Sequence, residues 1–195
     1  MRIATKQSFA NLNSYFAAKL HILRAVNIVA FALLIAFGAR LYIPLPFTPV
    51  PITLQTFFVT LSGVFLGSID AFASTFLYVL LGLAGLPVFS AEKAGMSVFL
   101  GPTGGYIIGF IFASSFVGAT LKRGYDFGKT FLLFLSAHLL IYFFGVLNLM
   151  LVFNYTVPEV IQKGVMPFLP GDTLKAVLAS LITAKFIPSK QRLND

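Results

Sequence analysis

Four long runs without a charged residue constrain the fold of this chain more than any other feature. They cover residues 41–69, 71–91, 94–121 and 130–153 of the 195-residue sequence. A helix needs about 20 mainly apolar residues to cross the hydrocarbon core of a bilayer, so each run is long enough. The runs lack the alternation of polar and apolar residues that marks barrel strands. They therefore predict an all-α integral membrane protein.

Composition supports the same class. Hydrophobic residues fill 58% of the positions, charged residues fill 10%, and the mean hydropathy is +0.92. A soluble domain with this balance would have too little polar surface. The sequence has no cysteine and only two histidines, His21 and His138, which excludes disulfides, thiolate catalysis and iron–sulfur ligation. Two imidazoles alone do not build an ordinary metal site, so we expect neither a metal nor a cofactor.

We predict six transmembrane helices. They lie near residues 25–43, 52–68, 70–86, 103–121, 130–153 and 172–187. These bounds divide the chain into a cytoplasmic N-terminal segment (1–24), a six-helix transmembrane domain (25–187) and a cytoplasmic tail (188–195). No second domain is predicted.

The basic residues predict the orientation of the helices. With six spans, ten of the fourteen lysines and arginines fall on one side: Arg2, Lys6, Lys19, Arg24, Lys122, Arg123, Lys129, Lys185, Lys190 and Arg192. The positive-inside rule then places both the N- and the C-terminus in the cytoplasm. The net charge of +8 follows this topology instead of forming one basic patch, so we do not expect a nucleic-acid partner.

Prolines mark the opposite, outer side as the structured one. Residues 43–51 contain Pro44, Pro46, Pro49 and Pro51, and such a segment is stiff because proline fixes φ. We expect it to form a hydrophobic lid over a pocket. Residues 101–106, with Gly104, Gly105 and Tyr106, open the fourth predicted helix, whose free N–H groups could receive a ligand oxygen. The alternative is a tight junction between loop and helix.

Asp172 and Lys175 are the strongest candidates for function. They lie three residues apart at the start of the short sixth predicted helix. A charge inside a membrane costs roughly 2.5–3.5 kcal/mol, so such a pair needs a partner or a ligand. In a pocket, Lys175 would bind a carboxylate while Asp172 accepts N–H donors from the other end of a small molecule. The alternative is an Asp172 helix cap with an exposed i,i+3 ion pair.

Other polar residues lie within the apolar spans. Gln55 begins the second predicted helix under the lid, and Tyr78 could offer its ring and hydroxyl to the same pocket. His138 and Asn148 lie deeper on the fifth predicted helix, where we expect hydrogen bonds between helices.

Four segments, in this order, carry a resemblance to a known family. They are residues 43–56, residues 77–89, residues 101–106, and Pro170-Gly171-Asp172 with Lys175. The chain resembles the BioY family, the biotin-specific substrate-binding (S) components of energy-coupling factor (ECF) transporters. The resemblance covers nearly the whole chain beyond the first two dozen residues.

The resemblance implies a fold, a ligand and partners. It implies the six-helix S-component fold, which binds biotin near the outer face, in a multi-pass protein of a bacterial or archaeal plasma membrane. The site residues it implies are Asp172, Lys175, Gln55, Tyr78, Gly104 and Tyr106. It also implies that Ala32 and Ala36 pack on a transmembrane coupling (T) subunit, which two cytoplasmic ATPase subunits drive.

Two other classes of function stay open at this point. The chain has no G-x-x-x-x-G-K-[ST] motif and therefore no P-loop ATPase of its own. A membrane-embedded enzyme acting on a lipid or isoprenoid is one alternative, although no metal-binding acidic motif supports it. An interaction subunit that binds no ligand is the other. The leading interpretation is a high-affinity biotin-binding subunit for uptake, without covalent catalysis.

Overall fold

Helices form most of the described part of the protein in the computed structural model, which describes residues 2–121 and 125–187. The helices are α1 (Arg2–Arg40), α2 (Gln55–Leu83), α3 (Met96–Phe99), α4 (Gly104–Thr120), α5 (Phe127–Phe153), α6 (Val157–Gly164) and α7 (Leu169–Phe186). Two short strands, β1 (Tyr42–Ile43) and β2 (Ile52–Thr53), pair antiparallel. One turn of 3₁₀ helix covers Ser90–Glu92.

The helices have the lengths and compositions of membrane spans. Within the described residues, three are long and apolar enough to cross a bilayer: Lys19–Arg40 within α1, then α2 and α5. The pair α6 and α7 passes the same test together, with a bend of 51° between them, and α4 is a shorter apolar helix. This architecture confirms the prediction of an all-α integral membrane protein.

Helix α2 folds back on itself at Gly67. The backbone there has φ 74° and ψ 179°, which is not helical. The Gln55 side-chain amide donates a 2.5 Å hydrogen bond to the Tyr78 hydroxyl, although 23 residues separate them. A straight helix would hold these residues about 35 Å apart. Residues 55–66 and 68–83 therefore run antiparallel, as the predicted helices 52–68 and 70–86 require. The count of six spans and the cytoplasmic termini remain predictions.

Replacing Gly67 by alanine is expected to lower stability by roughly 1–3 kcal/mol, because that backbone conformation is essentially restricted to glycine. A Cβ atom at this position would meet nothing within 4 Å, so crowding makes no contribution. The midpoint of thermal unfolding in detergent measures the effect. Gly128→Ala is the matched control, since its Cβ would make an ordinary 3.6 Å contact with Asp126. Equal midpoints for the two variants would show that alanine adopts the backbone conformation of residue 67 without strain.

Two arginines on α1 locate the two ends of the bundle. Near one end, the Arg24 guanidinium donates to both carboxylate oxygens of Asp70, at 2.5–2.7 Å, just after the bend in α2. At the other end, Arg40 donates to the Pro87 carbonyl at 2.8 Å and forms an ion pair with Glu92. The loop that follows α2 therefore lies at the Arg40 end, where α1 leads into β1.

Several predicted boundaries were wrong. Helix α1 begins at Arg2 instead of near residue 25, and it ends at Arg40 because the chain then enters the strand pair. Helices α3 and α6 and the strand pair were not predicted. The capping box of Thr156 and Glu159, with Pro158 between them in the first turn, was a readable signal for α6. The described residues end at 187, so the proposed tail at 188–195 lies outside them.

Small residues let the helices approach closely. On α4, Gly105 lies against the backbone of Phe144 in α5, and Gly109 lies against Ile141. On α2, Gly63 lies against the backbone of Ser114 in α4. These contacts place small residues of α2 and α4 inside the bundle.

The prediction that Ala32 and Ala36 on α1 pack on a coupling subunit needs a correction. Ala32 is only 1% exposed and belongs to the core of this chain, while Ala36 is partly buried against the same core. The two alanines therefore do not form a flat outward surface. A coupling subunit could not contact Ala32 in this conformation, because neighbouring helices already cover it.

Candidate ligand-binding site

A cavity opens at the Arg40 end of the bundle. Its lining comes from α2, α4, α5 and α7, from the proline-containing segment after β1, and from the loop after α2. The apolar part of the wall consists of Val50, Pro51, Phe89, Ile107, Phe110, Ile141 and Phe168. The polar part consists of Thr53, Gln55, Thr56, Tyr78, Ser90, Thr103, Tyr106, Tyr142, Asp172 and Lys175. Although polar residues outnumber apolar ones, most of the surface that the lining residues expose to the cavity is apolar. A mainly apolar surface with convergent polar groups is typical of a small-molecule site.

The proline-containing segment covers the cavity as predicted. Val50 is 5% exposed and lies on the cavity wall beside Pro51. The Thr48 hydroxyl donates to the Lys163 carbonyl at 2.7 Å, which ties the segment to α6. The strand pair closes its base. We refer to residues 43–51 as the proline lid.

Asp172 and Lys175 form a buried ion pair on α7. Three residues apart on a helix, they share one face, and the Lys175 Nζ donates to the Asp172 Oδ1 at 2.7 Å. The two residues are 4% and 9% exposed. Lys175 also donates to the Thr53 carbonyl at 2.6 Å and to the Thr56 hydroxyl at 3.1 Å. Both charges are thus removed from water and compensated within the protein.

Asp172 has two further donors. Its Oδ1 accepts from the Thr56 hydroxyl at 3.2 Å, and its Oδ2 accepts from the Tyr142 hydroxyl at 2.5 Å. Tyr142 comes from α5 and Thr56 from α2, so the carboxylate joins three helices. We call Thr56, Tyr142, Asp172 and Lys175 the polar cluster. It places one carboxylate and one ammonium side by side on the cavity wall.

This geometry corrects two expectations about the pair. Asp172 does not cap α7, since the N-cap residue is Phe168 and no side chain caps that end. Nor are the two charged groups directed to separate ends of the cavity, because 2.7 Å separates the Lys175 Nζ from the Asp172 Oδ1. The pair lies side by side at one place on the cavity wall.

The structure brings five of the six predicted site residues to the cavity: Asp172, Lys175, Gln55, Tyr78 and Tyr106. The protein itself already uses several of their polar groups. The Tyr106 hydroxyl donates to the Gly164 carbonyl at 2.8 Å, which leaves its ring for the cavity. The Tyr78 hydroxyl accepts from Gln55, and its ring makes an edge contact with Phe89 at 5.7 Å between centroids.

Gly104 is not among the residues that line the cavity, so its predicted binding role loses its basis. Its backbone N–H donates to the Gly101 carbonyl at 3.0 Å and is not free for a ligand. A Cβ atom there would collide with the Phe99 carbonyl. The alternative interpretation, a tight loop–helix junction, describes this position, and the neighbouring Thr103 lines the cavity instead.

The sequence interpretation missed Thr56, Tyr142 and Phe89. Phe89 is 1% exposed and covers Gly82, where any side chain would overlap the aromatic ring. Tyr142 lies four residues after His138, on the same face of α5, and this i,i+4 spacing was the available signal. Thr56 directly follows Gln55 and had no distinguishing signal of its own.

Asn148 forms a hydrogen bond to another element, whereas the hydrogen bond of His138 stays within its own helix. The Asn148 amide donates to the Gly101 carbonyl at 3.0 Å, which joins α5 to the start of α4. The His138 Nδ1 lies 2.8 Å from the Phe134 carbonyl of its own helix, so the expected bond between helices was wrong here. Its Nε2 lies 3.7 Å from the Asp172 Oδ1 without a hydrogen bond.

A second, outer cavity adjoins the first. It shares Pro51, Ser90 and Thr103 with the inner one and adds Lys93, from the loop before α3, and Ser97 on α3. We call it the vestibule. Lys93 is exposed, so the vestibule offers a cation in contact with water. Among residues 2–121 and 125–187, no group of three His, Cys, Asp or Glu side chains could hold a metal.

Comparisons with known proteins agree on one family. The model of the BioY family matches residues 10–192. Over 158 residues the chain is 39% identical to the biotin transporter BioY of Thermotoga maritima, covering 80% of this chain and 90% of that protein. Over 163 residues it is 37% identical to the probable biotin transporter BioY of Pyrococcus horikoshii, covering 83% and 95%.

A solved structure has the same fold. The chain matches the crystal structure, at 2.1 Å, of the S-component for biotin from an ECF-type ABC transporter. The TM-score is 0.76 and the sequence identity is 27%, and the match covers 86% of this chain and 92% of the other. The protein therefore has the S-component fold, and because the family model matches nearly its whole length, the chain belongs to the BioY family.

Proposed function

We propose that this protein is the biotin-binding membrane subunit of an uptake system. The observation that carries the proposal is the buried Asp172–Lys175 pair, which lies on the wall of a mainly apolar cavity under the proline lid. The fused rings and methylene chain of biotin suit the apolar wall, and its polar ureido group suits the pair. The similarity to biotin transporters supports this choice of ligand.

The polar cluster favours one orientation of the ligand. A ureido group carries two N–H donors beside a carbonyl acceptor, so Asp172 can accept from it while Lys175 donates to it. The carboxylate at the far end of the valerate chain then points to the mouth of the cavity. There Lys93 in the vestibule provides a positive charge.

Equilibrium binding of labelled biotin to the purified protein in detergent tests the function. We expect tight, saturable binding. Biotin methyl ester should compete with an affinity lower by about two- to fivefold, because an exposed charge such as Lys93 contributes only about 0.2–1 kcal/mol. Lys93→Ala should remove the difference between the two ligands. Lys185→Ala, in the last turn of α7 at the opposite end, should preserve it.

The two outcomes separate function from orientation. An absence of biotin binding by folded protein would overturn the function, and product formed from lipid or isoprenoid substrates would favour the enzyme alternative. Biotin binding without any competition from the methyl ester would overturn only the orientation, because it would place the carboxylate at Lys175.

The proposed function includes partners. The relationship to an S-component implies a transmembrane coupling subunit and two ATPase subunits, since this sequence lacks a P-loop motif. Co-expression of a tagged chain with such subunits should yield a complex that hydrolyses ATP and takes up biotin in vesicles. Uptake by the chain alone, at the same rate, would show that the partners are not required.

A further inference from the structure

His138 has a nitrogen that faces the polar cluster and is free to accept a proton. The residue is 2% exposed, and its Nδ1 lies 2.8 Å from the Phe134 carbonyl. A carbonyl only accepts hydrogen bonds, so in the neutral ring Nδ1 carries the hydrogen and Nε2 carries a lone pair. In the described structure Nε2 has no hydrogen-bond partner.

A charged atom of the proposed ligand site lies close to that lone pair. Nε2 lies 3.7 Å from the Asp172 Oδ1, which is too long for a hydrogen bond. Two acceptor atoms face each other there, and that arrangement explains the distance. A proton on Nε2 would turn the same geometry into an attractive, charged hydrogen bond.

The Asp172 carboxylate has little spare capacity for another donor. Its Oδ1 already accepts from Thr56 and Lys175, and its Oδ2 accepts from Tyr142. A carboxylate offers about four lone-pair positions, so about one remains for a ligand N–H. A protonated His138 competes for Oδ1 with Thr56 and Lys175 and draws the carboxylate towards α5.

We propose that His138 is a proton-binding positioning residue for the biotin site. Proton uptake at Nε2 moves Asp172 away from the arrangement that accepts a ureido N–H group, so biotin affinity falls as the pH falls. By linkage, biotin binding expels the proton. This inference rests on the proposed function.

Other titratable groups reach this region from each neighbouring element: Asp172 and Lys175 on α7, Tyr142 on α5, Tyr106 on α4, and Tyr78 on α2. Histidine is the side chain that ordinarily changes its charge between pH 5 and 8. The chain has only one other histidine, His21, which is exposed on α1. Substituting His138 and His21 in turn therefore shows which histidine causes a change in biotin affinity within this pH range.

The experiment measures the biotin Kd from pH 8 to pH 5.5, where the ligand carboxylate stays charged. We expect the wild type to weaken by about fivefold or more, the lower end of typical coupling between sites. His138→Gln should give a flat profile, and His21→Gln should keep the wild-type slope. Calorimetry in buffers with different heats of ionisation should show proton release when biotin binds to the wild type at pH 6.

The possible results separate the inference about His138 from the proposed biotin-binding function. Tight binding with a flat wild-type profile, or a slope that survives in His138→Gln, overturns the inference and leaves the proposed function intact. An absence of binding at pH 8 overturns both. Should His138→Gln not fold, His138→Asn takes its place, and proton release by the wild type needs no variant.

Discussion

Replacing Lys175 by methionine is expected to abolish biotin binding and to destabilise the protein. The variant leaves the Asp172 carboxylate 4% exposed and without its cation. Breaking a buried ion pair on one side costs about 3–5 kcal/mol, because the remaining charge stays desolvated. The loss of affinity should be similar for biotin and for its methyl ester, since Lys175 faces the ureido end in the proposed orientation. Binding in detergent and the midpoint of thermal unfolding measure the two effects.

The double variant Asp172→Asn, Lys175→Met separates stability from binding. Removing both charges should restore much of the lost stability, because no unpaired ion remains. Binding should stay absent, because neither the strong acceptor nor the cation is present.

The chain also contains a matched exposed pair. Asp126 and Lys129 have the same i,i+3 spacing, and both side chains are more than 60% exposed. Lys129→Met should therefore cost less than about 1 kcal/mol and leave the affinity unchanged. Wild-type affinity in Lys175→Met would refute the proposed role of the buried pair.

The sequence was sufficient to predict an all-α membrane protein and to name five residues that line the cavity. Charge-free runs predict membrane helices because the bilayer excludes charge, and prolines mark the loops because proline cannot continue a helix. The spacing of Asp172 and Lys175 on a helix also put both on one face. These features depend on local chemistry, which a single sequence contains.

The other contacts of the site depend on how each helix is turned about its own axis when it packs against its neighbours. Tyr142 reaches Asp172 only because α5 and α7 pack in one register, and nothing local encodes that register. Ala32 showed the same limit, since a small residue permits close packing without indicating whether the neighbour belongs to the same chain. The sequence also predicted separate ligand contacts for Asp172 and Lys175, because it does not show that only 2.7 Å separates their charged atoms.

Replacing Gly105 by leucine is expected to yield no folded protein. A Cβ atom at this position would lie 2.5 Å from the Asn148 Cβ and closer still to the Phe144 carbonyl oxygen, both on α5. Backbone atoms cannot move aside as a flexible side chain can, so α4 and α5 would have to separate. Gly105→Ala already overpacks this contact and should cost roughly 1–3 kcal/mol.

The alanine variant should also weaken biotin binding, because Thr103 and Tyr106 lie on either side along the chain and both line the cavity. Separating the helices would also strain the Asn148 bond to the Gly101 carbonyl, which holds the start of α4. Gly171→Ala is the control, since its Cβ would meet nothing within 4 Å and α7 should gain about 0.4–1 kcal/mol. If Gly105→Ala unfolds at the wild-type temperature and binds biotin unchanged, α4 and α5 do not pack at this glycine.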